Sequence, residues 1–105
     1  MHTKIDCSKI DTTRAAVLLK ALSNEKRLII LCHLLKGELC VHQLENLVNL
    51  SQSALSQHLA KLRSSNLVTT RRDAQTIYYR IKEHSVLDLI VCLNSIFIQE
   101  NKSTG

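Results

Sequence analysis

A chain of 105 residues with 45% hydrophobic residues, two glycines and no proline has the composition of one helical domain, which excludes a disordered or fibrous chain and leaves no stretch for an interdomain linker. Its formal charge of +5 favours a polyanion or a membrane surface as partner. No segment has the run of about eighteen apolar residues that spans a membrane, nor the apolar core of a secretion signal, so no membrane partner and a cytoplasmic location are expected. In that setting Cys7, Cys32, Cys40 and Cys92 read as reduced thiols and not as a disulfide framework.

Residues 1–11 are expected to form a flexible N-terminal segment, residues 12–100 the domain, and residues 101–105 a tail. From Thr12 to Leu22 the apolar positions Ala15, Leu18, Leu19 and Leu22 follow the three-and-four spacing of an amphipathic helix. Ser23 or Asn24 offers an N-cap for a second helix, EKRLIILCHLLK, with Glu25 at its positive end and Gly37 as a left-handed stop. A short third helix, VHQLENLVNL, places Val41, Leu44, Leu47 and Val48 on one side.

The fourth segment, SQSALSQHLAKLR, starts at a capping residue, Ser51, and has two unlike faces. At about 100° per residue, Leu55, Leu59 and Leu62 share one narrow sector. Ser53, Ser56, Gln57, Ala60, Lys61 and Ser64 share the opposite one, so the small polar side chains form a continuous stripe. His58 lies toward the leucine side and reads as a partly buried, satisfied histidine more than as a base contact.

After Asn66 the period changes to two. LVTTRR and TIYYRI flank Asp73-Ala74-Gln75, with Ile77, Tyr79 and Ile81 on one face of the second strand and Thr76, Tyr78 and Arg80 on the other. This is a hairpin whose tip lacks the Gly or Asn of a tight two-residue turn, so a longer loop is expected there. The last segment, SVLDLIVCLNSIFIQE, is a helix apolar around most of its circumference. Such a helix requires burial on two sides, the second of them supplied by another subunit.

The order helix, short turn, helix with compact donors and acceptors outward, then basic hairpin is that of a winged helix-turn-helix: mainly α with a small β-hairpin. Short Ser and Gln side chains let a helix backbone approach base edges in the major groove, where amides pair with adenine and hydroxyls donate or accept. Between Lys61 and Lys82 six Lys or Arg stand against a single acid, Asp73, a balance suited to phosphates, which position a protein without reading sequence. A solvated helix face explains the stripe alone but not the stripe, hairpin and charge together. A winged-helix module that binds only protein is the second class, opposed by Lys61 and the Arg71-Arg72 pair. A thiol enzyme is the third, and no Gly-rich loop or Cys-His spacing points to one.

The stretches LLKALSNEKRLIILCHL, LSQSALSQHLAKLR and RRDAQTIYYRI resemble the ArsR/SmtB family of winged-helix repressors over nearly the whole chain, and most of all its thiol- and persulfide-sensing branch that includes HlyU, BigR and SqrR. The resemblance implies a homodimer paired through its first and last helices, bound to a near-palindromic double-stranded operator and altered by an inducer. Some members of that branch relieve another repressor, which leaves the sign of regulation open. The family's recognition helix maps onto Gln52, Ser53, Ser56, Gln57 and Lys61, and its wing onto Arg71, Arg72, Gln75 and Thr76.

For sensing, the resemblance implies one cysteine in the second helix and another near the end of the last. Cys32 matches the first position, and Ile98 stands at the second. Cys92 lies six residues earlier, roughly 9 Å along a helix, whereas a disulfide requires Cα atoms within about 7 Å, so Cys32 would meet Cys7 or act alone. Metal-sensing members carry ELCVC where this chain has ELCVH, so Cys40 and His42, completed by Cys7, form the rival site for a soft metal ion. No cofactor is otherwise required, and the effector is a persulfide, an oxidant or a metal ion. The bland reading of the cysteines, Cys92 above all, is that they are small core residues.

Overall fold

Each of the first helices begins where a short polar side chain can hold an orphan backbone N–H. Asp11 accepts from the N–H of Arg14 at 3.1 Å to open α1 (Thr12–Leu22), and Asn24, of the two candidates, accepts from Arg27 at 3.1 Å to open α2 (Glu25–Leu34). The computed structural model describes residues 5–98. Among them follow β1 (Leu39–Cys40), α3 (Val41–Val48), α4 (Gln52–Ser64), β2 (Val68–Asp73), β3 (Thr76–Ile81) and α5 (His84–Phe97). The expected tail at 101–105 lies outside the described residues. The N-terminal segment is not featureless: Cys7–Lys9 forms a 3-10 turn whose cap, Asp6, accepts from the Ser8 N–H at 3.0 Å.

Several details differ from the sequence expectation, among them an α3 that ends at Val48, short of Leu50, and an α5 that ends at Phe97, before Ile98. Helix α2 stops at Leu34, short of Lys36, and the chain turns through Gly37 at φ +143°, a backbone conformation that side chains with a Cβ rarely adopt. The hairpin has a third partner, because β1 pairs antiparallel with β3 (Leu39 opposite Tyr79, Cys40 opposite Tyr78) and gives the order β1-β3-β2. The hairpin tip is tight and not long: Asp73 pairs with Thr76, leaving only Ala74 and Gln75 in the turn, with Ala74 at φ +57°. A positive φ at the first central residue matches the twist of the strands, and at Ala74 it is held by an L-residue, for which that conformation is strained.

The core consists of apolar side chains alone among the described residues. Ile30, Leu31 and Leu34 of α2, Leu44 and Val48 of α3, the three α4 leucines, Val68 of β2, and Val86 and Ile90 of α5 meet Ala21 and Leu22 from α1. On the outer sides of α1 and α5, by contrast, Val17, Leu19, Val91, Ile96 and Phe97 are exposed. The chain is a slab of 49 × 44 × 21 Å with a radius of gyration of 15.9 Å. A single domain of this length ordinarily reaches about 13 Å.

Candidate nucleic-acid interface

Helix α4 is fixed at both ends by its own sequence. Ser51 Oγ accepts from the Ala54 N–H at 3.2 Å. At the other end Asn66 takes φ +62°, its N–H donates to Arg63 O, and the Leu67 N–H donates to Leu62 O, both at 3.0 Å. That pair of bonds with a left-handed residue is a Schellman stop, closed here by two buried leucines. Leu55, Leu59 and Leu62 are at most 1% exposed. Gln52, Ser53, Ser56, Gln57 and Lys61 are all exposed, so the polar stripe faces outward along the helix as its spacing requires.

His58 is half-buried, with Nδ1 3.5 Å from an Arg27 nitrogen. Burial, followed by the charges of Arg27 and Lys26, holds its pKa below the ordinary histidine value. It packs behind the stripe and not within it. Arg27 itself is anchored through Nε to the Ala21 carbonyl at 2.6 Å, a tie between α1 and α2 that no spacing announced.

On the wing, Arg71, Arg72, Gln75 and Thr76 are exposed, and Gln75 and Thr76 occupy the tip. The two arginines differ. Arg71 Nε donates to both carboxylate oxygens of Glu38, at 2.8 and 3.1 Å, its Nη2 donates to Oε1, and its guanidinium carbon stands 4.6 Å over the Tyr78 ring. Among the described residues, Arg72 and Lys61 make no ion pair. A groove of about 530 Å³ runs between α4 and β3, lined by Ser56, Ala60, Arg63, Ser64, Asn66 and Tyr79. Arg63 and Tyr79 were not among the expected contact residues; the four-residue spacing of Ser56, Ala60 and Ser64 is the sequence signal for this face.

Cys7, Cys32 and Cys92 are exposed and Cys40 is half-buried, all as free thiols. The core reading therefore fails in the single chain. Cys92 follows the exposed Val91 and stands one turn before the exposed Ile96, so it lies on the outward side of α5. Cys40 is the N-cap residue of α3, where its N–H donates to Gln43 Oε1 at 2.9 Å. His42 is 83% exposed, with Nδ1 3.7 Å from Glu45 Oε1. Among the described residues no three His, Cys, Asp or Glu side chains gather to hold a metal ion, so Cys7 does not join Cys40 and His42 in a three-ligand set. Two ligands fall short of the four of a structural zinc site. Ile98 sits just past the end of α5 in extended conformation.

A capped helix showing hydroxyls and amides, backed by a basic hairpin and preceded by a second short helix, defines a winged helix-turn-helix DNA-binding protein. Residues 24–70 match the model of the bacterial regulatory protein, arsR family. The chain is 49% identical over 92 residues to the transcriptional activator HlyU of Vibrio cholerae, across 88% of this chain and 85% of that protein. It is 41% identical over 87 residues to the biofilm growth-associated repressor of Xylella fastidiosa, across 83% of this chain and 76% of that one. Reduced HlyU from Vibrio cholerae superposes with a TM-score of 0.79 at 49% identity, covering 85% of this chain and 94% of that one. The homodimeric winged helix-turn-helix DNA-binding domain of a possible ArsR-family regulator from Mycobacterium bovis does so with 0.75 at 30%, covering 91% and 89%. The chain belongs to the ArsR family of bacterial transcriptional regulators, whose members act on DNA and are not enzymes.

Proposed function

We propose that this regulator binds a near-palindromic operator as a homodimer and represses transcription until a thiol of the protein is modified. The observation that carries the DNA contact is the division of α4 into a leucine face at most 1% exposed and an outward stripe of Gln52, Ser53, Ser56, Gln57 and Lys61. Ser56 and Gln57 read base edges from the major groove, and Lys61, Arg72, Gln75 and Thr76 contact the backbone on either side of the reading helix. Arg71 joins them only in exchange for its bonds to Glu38.

Dimerisation is supported by three facts: the exposed apolar sides of α1 and α5, a radius of gyration above that of a self-contained domain, and the homodimeric structural neighbour. Pairing through those helices places two α4 helices in successive major grooves about 34 Å apart. For sensing, Cys32 is the reactive thiol: it is exposed on α2, and a solved relative is described in its reduced state. Cys7 is its candidate partner. A persulfide or an oxidant is the effector, and the protein works in the cytoplasm without a cofactor.

Gel-shift titration against the DNA upstream of its own gene, with reduced protein and then with polysulfide or peroxide, tests both halves. Release from DNA that persists unchanged in Cys32→Ser rules out the thiol switch. Binding that ignores salt, or fails on every duplex while a protein partner is captured without nucleic acid, replaces the DNA reading with a protein-interaction module.

A further inference from the structure

Resting on the DNA-binding reading above, we infer that Glu38 withholds Arg71 from the DNA backbone, an internal counter-ion that sets how much charge the wing offers to phosphates. The two residues are far apart in sequence and are joined by the sheet. Strand β1 brings Cys40 opposite Tyr78, and β2 brings Arg71 opposite the same Tyr78, so Cys40, Tyr78 and Arg71 form one row across three strands. Glu38, two residues before Cys40, meets the guanidinium from the β1 side.

Arg71 is thereby held from two directions. Glu38 accepts from Nε and Nη2 in the forked geometry that a phosphate would otherwise receive, and the Tyr78 ring lies against the guanidinium at 4.6 Å. The interaction works on both partners: Arg71 holds the Glu38 carboxyl below its ordinary pKa, and Arg80 adds to the effect, so Glu38 is ionised wherever the protein meets DNA. A closed pair has no net charge. It releases no counterion from the duplex, and its carboxylate repels neighbouring phosphates. Arg72, the next residue, has no such partner among the described residues, so adjacent arginines on one strand contribute unequally.

The test uses the full-length dimer and a random-sequence duplex, because phosphate contacts do not depend on sequence. Affinity is measured across a salt series for the wild type, Glu38→Gln, Arg71→Gln and the double variant. Glu38→Gln keeps the shape of the side chain and removes its charge. It is expected to tighten binding roughly three- to tenfold for each wing at low salt and to steepen the salt dependence by about 1.8, one more phosphate contact from each of the two wings of the dimer. In the Arg71→Gln background the same change is expected to leave the slope where it was.

Weaker or unchanged binding by Glu38→Gln overturns the inference, because Glu38 would then support the wing or do nothing to it. So does tighter binding at an unchanged slope, which would place Arg71 among the phosphate contacts already. An equal slope change without Arg71 overturns it too, since the gain would then be general charge removal. If no variant and no wild-type protein binds duplex DNA, the DNA-binding reading falls as well; wild-type binding with any of the three preceding results sinks the role of Glu38 alone.

Discussion

Helices α4 and α5 bury similar aliphatic stripes and differ in what they show to water. Leu55, Leu59 and Leu62 in α4, and Val86 and Ile90 in α5, all sit in the same core at no more than 3% exposure. Outward, α4 presents Ser, Gln and Lys, whereas α5 presents Val91, Ile96 and Phe97 at 60%, 62% and 72% exposure. The inner faces build the fold and are close to interchangeable in kind. Under the proposed function the outer faces choose the partners. Hydroxyls and amides remain hydrated until base edges replace the water, while an apolar face held in water is unfavourable by about 25 cal/mol per Å² until another apolar surface covers it.

The largest way to break that contrast is to give α5 the polarity of α4. Val91→Glu places a carboxylate in the outward apolar face, and the protein is expected to sediment as a monomer. Operator affinity should fall by about 10²- to 10⁴-fold, because two linked reading heads bind far more tightly than one. A Val91→Glu protein that stays dimeric with full affinity would move the dimer contact elsewhere. Next in size is the inner face: Leu59→Ala leaves a cavity in the shared core and should lower unfolding free energy by roughly 2–5 kcal/mol in urea melts. Smaller again is the outer face of α4. Gln57→Ala should leave the melt unchanged and remove about 1–3 kcal/mol of discrimination between operator and mismatched duplexes. A loss spread equally over all sequences would make Gln57 a backbone contact instead.

Much of this contrast was legible in the chain because it is local. The α4 faces follow from helical spacing, its start from Ser51, and the hairpin from the change to period two at Leu67 and Val68. What stayed hidden depends on partners distant in sequence or on backbone that no pattern encodes. Two residues at Leu39 and Cys40 are too few to show an alternation, and they become a strand only because β3 offers an open edge. Nothing in the sequence singles out Glu38, because its partner Arg71 lies thirty-three positions away and reaches the carboxylate only through the sheet. Cys92 read as core because free cysteine is so often buried; only the structure shows which side of the helix the single chain covers.

His58 sharpens the comparison from behind the polar stripe. Its pKa is lowered by burial and by Arg27 and Lys26, so the folded protein favours the neutral ring more strongly than the unfolded chain does. The unfolded state therefore takes up the proton first as pH drops. Stability should be fully present well above the ordinary value of 6.5 and should decline as pH falls through 6.5 toward the folded value, flattening below it. Urea midpoints measured downward from about pH 7 check this against His58→Gln, which should lose that part of the slope. An identical pH profile in the variant would place the titrating group elsewhere.

The smallest effect belongs to the wing tip, which sets a strained turn against the well-capped α4. Ala74 occupies φ +57° so that Asp73 can pair with Thr76, and an L-residue with positive φ costs about 1–2 kcal/mol that glycine does not. Glycine gives back roughly 0.5–1 kcal/mol through the freedom it has in the unfolded chain. Ala74→Gly is thus expected to stabilise the protein by no more than about 1.5 kcal/mol, the small remainder of those two figures. Amide exchange separates this from a global change. The gain should appear as slower exchange at Thr76 and its neighbours on β2 and β3, with the α4 amides shifting only as far as the urea melt does. Equal protection in both regions would mean that the hairpin opens only when the whole domain unfolds, leaving the wing as firmly held as the helix beside it.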